Sequence, residues 1–594
     1  MERMLLASRV ALAWIALLVT TAAFAEPTVK QTMDDVVTRL YATMSEDELY
    51  AIDNATSLQF FTPQEREVLA TKYWYFDVNV PVVVSVLRTT NQLTVPFWLA
   101  EAGFTKTNLT VHNIENWEYE VWQKNFPAGH VGLGINGFDK HREHYLVGVG
   151  PQNEGDAVTI SDLFPSEFSI ETMQDGALCY HDWDNLFLKD VPRSLAGHKL
   201  LTTIRGRARD AHLVGGFRKT QWPSSSKPDQ IALTWSHDPR TTQAVQWRTS
   251  TDVGIGDVRY KVKESKGEYL NAHASIEKIE NRLLVNDRYC HHHSALLSEL
   301  QPDTEYVYAV GSSRTNTWSD EATFTTAPEG PKPFTFVMFG DTHNKVAWGE
   351  MLDGAFARHP ETAFYTIAGD LVDTGQYRDD WDAFFAHSSN VFRQRPVMPS
   401  LGNHDTLDGL GAALYRSVFA LPTDGPSTLP PERAYSFEYS NALFVIPDCT
   451  SSATDQLAWM EETLANSKAA WKFVVYHFPP YSQDYDEYPG IRFGWGALFD
   501  KYHVDFALEG HVHYYMRSHP IHGDKVVGSP KNGTIHLISI AIPGPEREFP
   551  PADYAIKQYR GDAMYQTFRI EGNRLEFKAH LSDGSVYDEL IIEK

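Results

Sequence analysis

The sequence predicts a multidomain protein in which an α/β domain follows a β-sandwich and an α+β N-terminal region. A chain of 594 residues is longer than one ordinary domain. From residue 334 onward, short apolar strands alternate with amphipathic helices, a pattern typical of an α/β sheet. Residues 229–328 carry closely spaced strand patterns, which favour a β-sandwich. We therefore divide the chain into a leader (1–25), an α+β region (26–222), a β-sandwich (229–328) and an α/β domain (334–594).

The composition is that of a globular protein with an acidic surface. Hydrophobic residues make up 42% of the chain and charged residues 22%, both ordinary values. The formal net charge is −25. Because contacts with a nucleic-acid backbone require basic patches, this charge argues against a nucleic-acid scaffold as a partner.

Residues 1–25 have the three parts of a secretory signal peptide. Arg3 and Arg9 supply the positive segment, residues 10–19 the apolar segment, and Ala23-Phe24-Ala25 a small-x-small cleavage site. An uncleaved membrane anchor is the alternative, but the apolar run is shorter than the roughly 20 residues that a span requires. We predict cleavage after Ala25 and a secreted or periplasmic protein with no transmembrane anchor after cleavage.

Residues 26–222 begin with helix patterns, continue with strands and contain no recognisable catalytic motif. The run Thr62-Pro63-Gln64-Glu65 predicts a capping box with proline at the first helical position. Trp74, Phe76 and Val78 alternate as in a half-buried strand. The density of aromatic residues leaves two interpretations open. A packing surface is favoured, and a platform that contacts carbohydrate or a cell surface is the alternative.

One sequence run characterises the β-sandwich. Residues 300–306 read Leu-Gln-Pro-Asp-Thr-Glu-Tyr, which resembles the L-x-P-x-T-x-Y run of fibronectin type III and immunoglobulin-like sandwiches. The resemblance implies that Tyr306 is a corner tyrosine. His291, His292 and His293 occupy successive positions of a predicted strand, so their side chains point to alternate faces. We expect them to be surface or edge residues rather than a metal site.

Five short apolar strands of the α/β domain each lead into potential metal ligands. Alternate residues of extended backbone point the same way, so Asp341 and His343 can converge on one point. Open α/β sheets place their ligand crevices at such strand ends, and the glycines that precede most of these residues allow sharp turns and close approach. In chain order, the candidate ligands are Asp341, His343, Asp370, Asn403, His477, His511 and His513.

The donor types predict a two-metal site. Imidazole and oxygen ligands suit Zn, Fe or Mn, and the set lacks the thiolates that structural zinc sites favour. One carboxylate that bridges two ions is the economical arrangement, and Asp370 lies in the middle of the series. Two ions about 3.5–4 Å apart can clamp the attacking and leaving oxygens of a phosphoryl displacement. They also lower the pKa of a bound water.

The five strand ends resemble the motifs of calcineurin-like metallophosphoesterases. With the preceding β-sandwich, they are most similar to purple-acid-phosphatase-like proteins that carry an N-terminal fibronectin type III-like domain. The resemblance covers residues 334 to roughly 545 and implies a four-layer α/β/β/α sandwich. Residues 546–594 return to strand patterns, from which we expect them to complete the second sheet. The matching motifs are GDTH (340–343), GDLVD (369–373), GNHD (402–405), VVYH (474–477) and GHVH (510–513).

The resemblance also implies a role for each residue. One ion would be held by Asp341, His343, Asp370 and His513, and the other by Asp370, Asn403, His477 and His511. Both would be divalent or trivalent ions of Zn, Fe or Mn, whose identity stays open. His404 would contact the phosphate and protonate the leaving oxygen, and Asp405 would orient it. General acid catalysis of this kind contributes roughly 100- to 10,000-fold.

Four departures separate this chain from purple acid phosphatases. Asp373 stands where those enzymes have a metal-binding tyrosine, and His343 where they have glycine. Met516 replaces a glutamate, and residues 482–488 lack the substrate-site histidine pair. We expect a colourless two-metal site, and the family's substrate preference cannot be transferred.

Taken together, the sequence predicts a secreted two-metal phosphoesterase. By resemblance, it would hydrolyse phosphate monoesters through attack of a metal-bound hydroxide. A phosphodiesterase with the same site is the first alternative. The second is an adhesion or carbohydrate-binding protein whose phosphoesterase domain is vestigial, which the aromatic N-terminal region keeps open.

Overall fold

A computed structural model describes residues 27–482, 488–542 and 551–594. The predicted leader lies outside the described residues. The described chain forms a helical and β-rich N-terminal region, a two-sheet β region and a C-terminal α/β region, which confirms the predicted fold class. Every helix in these described ranges is too short or too polar to cross a bilayer.

The N-terminal region combines short helices with two antiparallel sheets. Its helices are α1 (Val29–Thr43), α2 (Glu46–Tyr50), α3 (Asn54–Gln59), α4 (Pro63–Thr71) and α5 (Phe97–Glu101). Its strands are β1 (Trp74–Val78), β2 (Val82–Thr89), β3 (Thr105–Asn113), β4 (Glu118–Phe126), β5 (Gly129–Leu133), β6 (Leu146–Pro151), β7 (Ile160–Phe164), β8 (Ile170–Thr172), β9 (Leu178–Tyr180), β10 (Leu186–Lys189) and β11 (Lys199–Leu201).

Local sequence explains these elements. Thr62 and Glu65 cap α4 reciprocally, as predicted, which satisfies two backbone N–H groups at the start of the helix. In β1, Trp74, Phe76 and Val78 are buried and the residues between them are half-buried. The larger sheet has the order β8-β11-β6-β2-β4-β3-β10-β9 and the smaller one β5-β1-β7.

The central region consists of two facing antiparallel sheets, with the orders β12-β13-β17-β16 and β15-β14-β18-β19 and with β20 paired to β18. Tyr306 Oη accepts a hydrogen bond from the Gln301 backbone N–H at 2.8 Å, the contact expected of a corner tyrosine. The strands are β12 (Asp229–Thr234), β13 (Gln243–Thr249), β14 (Asp257–Val262), β15 (Leu270–His273), β16 (Ser275–Glu280), β17 (Tyr289–Leu297), β18 (Glu305–Ser312), β19 (Thr317–Trp318) and β20 (Ala322–Thr325).

The prediction for the three consecutive histidines was wrong in one respect. They lie in β17, which is flanked by β13 and β16, so this strand is not at an edge. His292 and His293 are buried. The ring of His293 stacks on Trp247 at 5.0 Å, and its Nε2 lies 2.8 Å from Thr249 Oγ1. Both faces of the strand are covered, which residue alternation alone does not reveal.

The C-terminal region contains five α-helices and fifteen strands among its described residues. The helices are α6 (Val346–Arg358), α7 (Arg378–Phe392), α8 (Ala413–Val418), α9 (Leu457–Asn466) and α10 (Gly496–Tyr502). The strands are β21 (Phe334–Phe339), β22 (Thr362–Ala368), β23 (Val397–Ser400), β24 (Tyr435–Tyr439), β25 (Ala442–Ile446), β26 (Trp471–Val475), β27 (Phe506–Glu509), β28 (Tyr515–Ser518), β29 (Ile521–His522), β30 (Lys525–Val526), β31 (Ile535–Ile538), β32 (Ala555–Tyr559), β33 (Met564–Glu571), β34 (Arg574–Leu581) and β35 (Val586–Glu593).

Two mixed sheets form the centre of this region. The first has the order β23-β22-β21-β33-β34-β35 and the second β24-β25-β26-β27-β31-β28-β32. The strands β21, β22 and β23 are parallel to one another, as are β25, β26, β27 and β31. Residues 546–594 were expected to complete the second sheet, and β32 does lie at the end of that sheet, paired with β28. The prediction was wrong for the strands β33 to β35, which extend the first sheet because β33 pairs antiparallel with β21.

The two sheets pack face to face between two helical layers. Along β25, Ala442, Phe444 and Ile446 belong to the core shared with the first sheet, whereas Leu443 and Val445 pack with α9 and α10. This alternation follows from the two faces of a strand. The helices α6 and α7 cover the outer face of the first sheet. The arrangement is therefore the α/β/β/α sandwich that the resemblance implied.

Aromatic rings fill the space between the sheets. Phe336 of β21 stacks on Phe568 at 4.6 Å and meets Phe444 and Phe473 of the second sheet edge to face at 5.0 and 5.1 Å. All four rings are fully buried. Their packing fixes the two sheets relative to each other, and with them the strand ends that carry the candidate ligands.

Candidate metal centre

The predicted ligands lie at one edge of the double sheet. Asp341 and His343 follow β21, Asp370 follows β22, and Asn403 follows β23, all in the first sheet. In the second sheet, His477 follows β26, and His511 and His513 follow β27. Because the strands within each set are parallel, their carboxyl ends face the same crevice.

One group of ligand atoms comes from Asp341, His343 and His513. Oδ2 of Asp341 lies 3.0 Å from Nε2 of His513, and Nε2 of His343 lies 3.4 Å from the same nitrogen. Two ligands about 2.1 Å from one ion lie roughly 3.0–3.5 Å apart. The third distance, between Oδ2 of Asp341 and Nε2 of His343, is wider at 3.8 Å, so the three side chains lie within reach of a common ion.

A second group comes from Asp370, His477 and His511. Nε2 of His477 lies 3.1 Å from Oδ2 of Asp370 and 3.1 Å from Oδ1 of Asn403. The amide oxygen of Asn403 thus joins the carboxylate and the imidazoles. The four residues are those that the resemblance assigned to one ion.

Asp370 lies between the two groups. Its Oδ2, 3.1 Å from His477 Nε2, is also 3.7 Å from Nε2 of His343. Its Oδ1 accepts a hydrogen bond from the backbone N–H of His404 at 2.8 Å, which fixes the carboxylate orientation. Asp370 therefore has the position expected of a bridging ligand.

The charges at this site fit a cation. Asp341 and Asp370 are at most 1% exposed, and Oδ2 of Asp341 accepts no hydrogen bond from the described residues. Burial raises the pKa of Asp341, but the nearby His477 and His513 outweigh it and lower the pKa to about 2. Burial likewise opposes protonation of His477, yet the carboxylates of Asp370 and Asp341 raise its pKa to about 9. Buried carboxylates of this kind are normally paired with cations or coordinate metals.

Hydrogen bonds select the ring nitrogens that face the site. Nδ1–H of His477 donates to the backbone carbonyl of Ala368 at 2.8 Å, which leaves Nε2 for a metal. Nδ1 of His343 lies 3.1 Å from Oδ1 of Asp373. Burial raises the pKa of Asp373, but His343 and Lys345 lower it to about 2. Asp373 is therefore placed to orient the ring of His343 on the side away from the metal site.

The backbone is in the left-handed region at four of the ligands. The φ angles are 44° at His343, 50° at Asp370, 74° at His511 and 56° at His513. Such conformations are costly for residues with a Cβ atom and cluster at functional sites. Gly402 lets the backbone before Asn403 lie close to Asp370, because a Cβ at this position would lie 2.2 Å from Oδ1 of Asp370.

His404 points its ring toward the site from the first sheet. Its Nδ1–H donates to the backbone carbonyl of Asp373 at 2.8 Å, which leaves Nε2 available to a substrate. The ring lies 4.7 Å from that of His343. These contacts are compatible with the predicted role in proton transfer.

The predicted role of Asp405 as the group that orients His404 is wrong. Within the described residues, the hydrogen-bond partner of the His404 ring is the carbonyl of Asp373. The Asp405 carboxylate instead accepts backbone N–H bonds from Leu371 at 3.0 Å and from Gly402 at 2.9 Å. It therefore ties together the two loops that carry Asp370 and Asn403. Burial and the neighbouring Asp370 raise the pKa of Asp405 to about 8.

Sequence reasoning missed a residue from the N-terminal region. The indole ring of Trp183 lies 5.9 Å from His511 and 4.9 Å from Phe478. No sequence signal connects Trp183 with a motif more than 300 positions further along the chain. Most of the segment in which the substrate-site histidine pair is missing, residues 483–487, lies outside the described residues.

Two family profiles match the chain. Residues 228–326 match the purple acid phosphatase N-terminal domain, and residues 334–515 match the calcineurin-like phosphoesterase family. The second match contains all seven candidate ligands and His404. The first ends before the strands of the α/β region begin.

Curated relatives align with about half of the chain. An uncharacterized protein of Mycobacterium tuberculosis is 30% identical over 338 residues, which cover 49% of this chain and 62% of that protein. The Fe(3+)-Zn(2+) purple acid phosphatase 12 of Arabidopsis thaliana is 26% identical over 318 residues, covering 50% of this chain and 66% of that protein. The alignments thus span less than two thirds of these relatives' own lengths. Other similar Arabidopsis proteins are named as probable inactive purple acid phosphatases.

One solved structure is similar over most of the chain. A purple acid phosphatase from yellow lupin (Lupinus luteus) seeds has a TM-score of 0.53 and 17% sequence identity, with 89% of this chain and 94% of that chain covered. At this identity the similarity concerns the fold alone. Because residues 229–594 are less than two thirds of the chain, the shared fold extends into the N-terminal region.

Proposed function

We propose that this chain, which belongs to the calcineurin-like phosphoesterases and carries a purple acid phosphatase N-terminal domain, is a secreted enzyme that hydrolyses phosphate monoesters at a two-metal centre. The observation that carries the proposal is the position of Asp370. One of its carboxylate oxygens lies between His343 and His477, at 3.7 and 3.1 Å from their Nε2 atoms. An oxygen shared between two sets of imidazole and carboxylate donors supports a pair of ions rather than one.

The chain's own residues account for the binding of the metals. Asp341, His343 and His513 would hold one ion, with Asp370 shared. The second ion would be held by Asp370, Asn403, His477 and His511. When bound, two such ions supply Lewis-acid activation of water and neutralise charge on a phosphate group.

His404 would supply the proton for the leaving group. Its Nδ1–H is committed to the Asp373 carbonyl, so a proton that reaches the substrate must come from Nε2. The backbone N–H of the same residue holds Oδ1 of Asp370 at 2.8 Å. Acid and shared ligand are therefore fixed relative to each other, which keeps the proton donor beside the reacting phosphate.

Monoester preference rests on the name of the Arabidopsis phosphatase, and a diesterase with the same centre is the competing assignment. Met516, which replaces the family's glutamate, is fully buried beside Val512 and Ile538. It therefore offers no polar group to a substrate, and this position cannot impose the family's preference.

The decisive experiment compares p-nitrophenyl phosphate and bis-p-nitrophenyl phosphate with the purified protein. Each is measured after chelation and after addition of Zn, Fe or Mn. We expect metal-restored turnover that favours the monoester and is lost in Asp370→Asn. The exposed Asp353 of α6 provides the matched control, Asp353→Asn. Faster hydrolysis of the diester would assign a phosphodiesterase, and no turnover with any metal would overturn the proposal.

Secretion is tested separately. The protein should leave the cytoplasm with Glu26 as its first residue if cleavage follows Ala25. N-terminal sequencing of the exported protein measures this directly. Retention in the membrane with Met1 intact would contradict the proposal.

A further inference from the structure

A short segment of the N-terminal region contacts a candidate ligand of the metal centre. Residues 181–185, which we call the Trp183 loop, connect β9 to β10. The Trp183 ring packs on Phe478 and meets the edge of His511. Phe478 in turn stacks on Tyr488 at 4.7 Å and lies 4.9 Å from His511. Aromatic rings from two regions of the chain therefore surround this candidate ligand.

A buried arginine holds the Trp183 loop in place. Arg205, whose side chain is fully buried, places Nε 2.6 Å from Oδ2 of Asp182 and Nη2 3.2 Å from Oδ1 of Asp184. These carboxylates flank Trp183 on both sides in sequence. Nη1 of Arg205 lies 3.2 Å from Oε2 of Glu115. One guanidinium thus fixes both ends of the segment that presents the indole ring.

A second contact joins the same cluster to the loop of Asn403 and His404. Asp408 follows Asn403 by five positions, and its side chain is fully buried. Its carboxylate accepts hydrogen bonds from Arg142 Nε and Arg209 Nη2, both at 2.7 Å. Nε of Arg205 lies 4.0 Å from Oδ1 of Asp408.

The packing at this second contact is tight. A Cβ at Gly409, where φ is +79°, would lie 2.7 Å from the carbonyl oxygen of His181. A Cβ at Gly206 would lie 2.4 Å from Leu410. The N-terminal region therefore lies directly against the loop that follows the GNHD motif.

We propose that residues 27–222 complete the second metal subsite, with Arg205 and Trp183 as positioning residues. The Trp183 loop contacts His511, and the arginine cluster contacts the segment that carries Asn403. Both residues belong to the ligand set that contains His477, and neither belongs to the set of Asp341, His343 and His513. The N-terminal region should therefore affect one ion and leave the other unchanged. The inference rests on the two-metal centre of the proposed function, but not on its hydrolytic activity.

Trp183 offers a matched pair of variants. Its Nε1–H is buried and has no hydrogen-bond partner among the described residues, so the ring contributes by packing alone. Trp183→Phe keeps a ring against Phe478 and His511, whereas Trp183→Ala removes it. The side chain is partly exposed, so both variants should fold.

The test is a chelator-competition titration of the metal-free full-length protein with Zn²⁺. For Trp183→Ala we expect one of the two sites to weaken about 10-fold, the low end of the effect of removing a group that supports a metal ligand. The other site should stay within about 2-fold of the wild type, and Trp183→Phe should stay near the wild type at both. Equal weakening of both sites, or of neither, would overturn the inference.

The ion cluster is tested with Arg205→Lys, because lysine cannot reproduce the forked contacts of a guanidinium. Arg248→Lys is the matched control. Arg248 is also buried and also joins two regions, through an Nη1–Asp382 Oδ1 contact of 2.6 Å with α7. We expect only Arg205→Lys to weaken the second site. Equal effects of the two variants on metal affinity would mean that the Arg205 cluster only joins two regions of the chain, which would overturn its positioning role.

Turnover of p-nitrophenyl phosphate on the same samples separates the two proposals. A wild type that binds two Zn²⁺ ions but shows no hydrolysis with Zn, Fe or Mn would refute the proposed function, while the affinities would still decide the positioning role. A wild type that binds fewer than two ions would overturn the positioning role as well.

Discussion

Removing the metals should make the stability of this protein depend on pH between 6.5 and 9. In the metal-free protein, His477 is buried 3.1 Å from Asp370, whose carboxylate, together with that of Asp341, raises the pKa of His477 to about 9 despite burial. In the unfolded chain the same imidazole has its ordinary pKa of about 6.5. Protonated His477 therefore stabilises the folded state fully below pH 6.5, and this contribution is lost as the pH rises through 9.

The size of the effect follows from the two pKa values. A His477 pKa of about 9 in the folded state, against about 6.5 when unfolded, corresponds to about 3 kcal/mol of unfolding free energy. One kcal/mol shifts the melting temperature of a domain of this size by roughly 2–4 °C. The metal-free protein should thus melt roughly 10 °C lower at pH 9 than at pH 6.5 from this group alone. Bound metal replaces the proton on Nε2, so the loaded protein should lack this dependence.

Differential scanning calorimetry of chelated and metal-loaded protein at the two pH values measures the effect. Burial and neighbouring carboxylates also raise the pKa of Asp380 to about 7 and that of Asp405 to about 8, so other groups titrate in this range. The variant His477→Gln removes the imidazole together with its effect on the neighbouring carboxylates, because His477 lowers the pKa of Asp341 and of Asp405. If the difference between wild type and variant is the same at pH 6.5 and pH 9, the reasoning is refuted.

Three further changes test the centre and its support. Asp370→Asn should abolish two-ion binding and reduce turnover by roughly 1,000-fold, as expected when several kcal/mol of metal catalysis are lost; metal analysis and kinetics measure both. His404→Gln should lower kcat by roughly 100- to 10,000-fold for alkyl phosphates and much less for p-nitrophenyl phosphate, whose leaving group needs no proton, with metal content unchanged. Phe336→Ala should cost about 3–5 kcal/mol in urea unfolding, because it empties the aromatic core between the sheets, whereas Phe493→Ala, at a 59% exposed ring, should stay within about 0.5 kcal/mol.

The ligand positions could be read from the sequence because their geometry is local. Each candidate follows a short apolar strand, and parallel strands bring their carboxyl ends to one edge. For Asp341 and His343 the expected reason was wrong, because His343 has a φ of 44° and reaches the site through a turn rather than through extended backbone. The structure brings all seven candidates together at that edge.

The supporting contacts could not be read in the same way, because they depend on how distant segments pack. His404 is held by a backbone carbonyl, that of Asp373, and every residue has one, so sequence gives no signal. Asp405 follows His404 directly in the sequence, yet its carboxylate accepts hydrogen bonds from the backbone N–H groups of Leu371 and Gly402. Trp183 approaches His511 only because the N-terminal region folds back onto the α/β region.

The pairing partners of the strands also could not be predicted from the sequence. The pattern from residue 564 onward predicts strands and a turn correctly, but apolar alternation does not specify which sheet receives them. Pairing of Phe336 with Phe568 across β21 and β33 decides it, and that contact joins residues more than 200 positions apart. His293 shows the same limit in the β-sandwich, where a strand covered on both faces buries residues of either parity.

Metal binding and metal-free stability make opposite demands on this centre. Asp341 and Asp370 are both buried, and the carboxylate of Asp370 raises the pKa of Asp341, so without a cation or a protonated His477 their repulsion destabilises the fold. Above pH 9 without metal, where His477 is mostly neutral, Asp370→Asn should therefore melt at a higher temperature than the wild type. The amide keeps the size of the carboxylate and an oxygen for the His404 N–H, so only the charge changes. A lower melting temperature under these conditions would mean that the pair of carboxylates is not a source of strain.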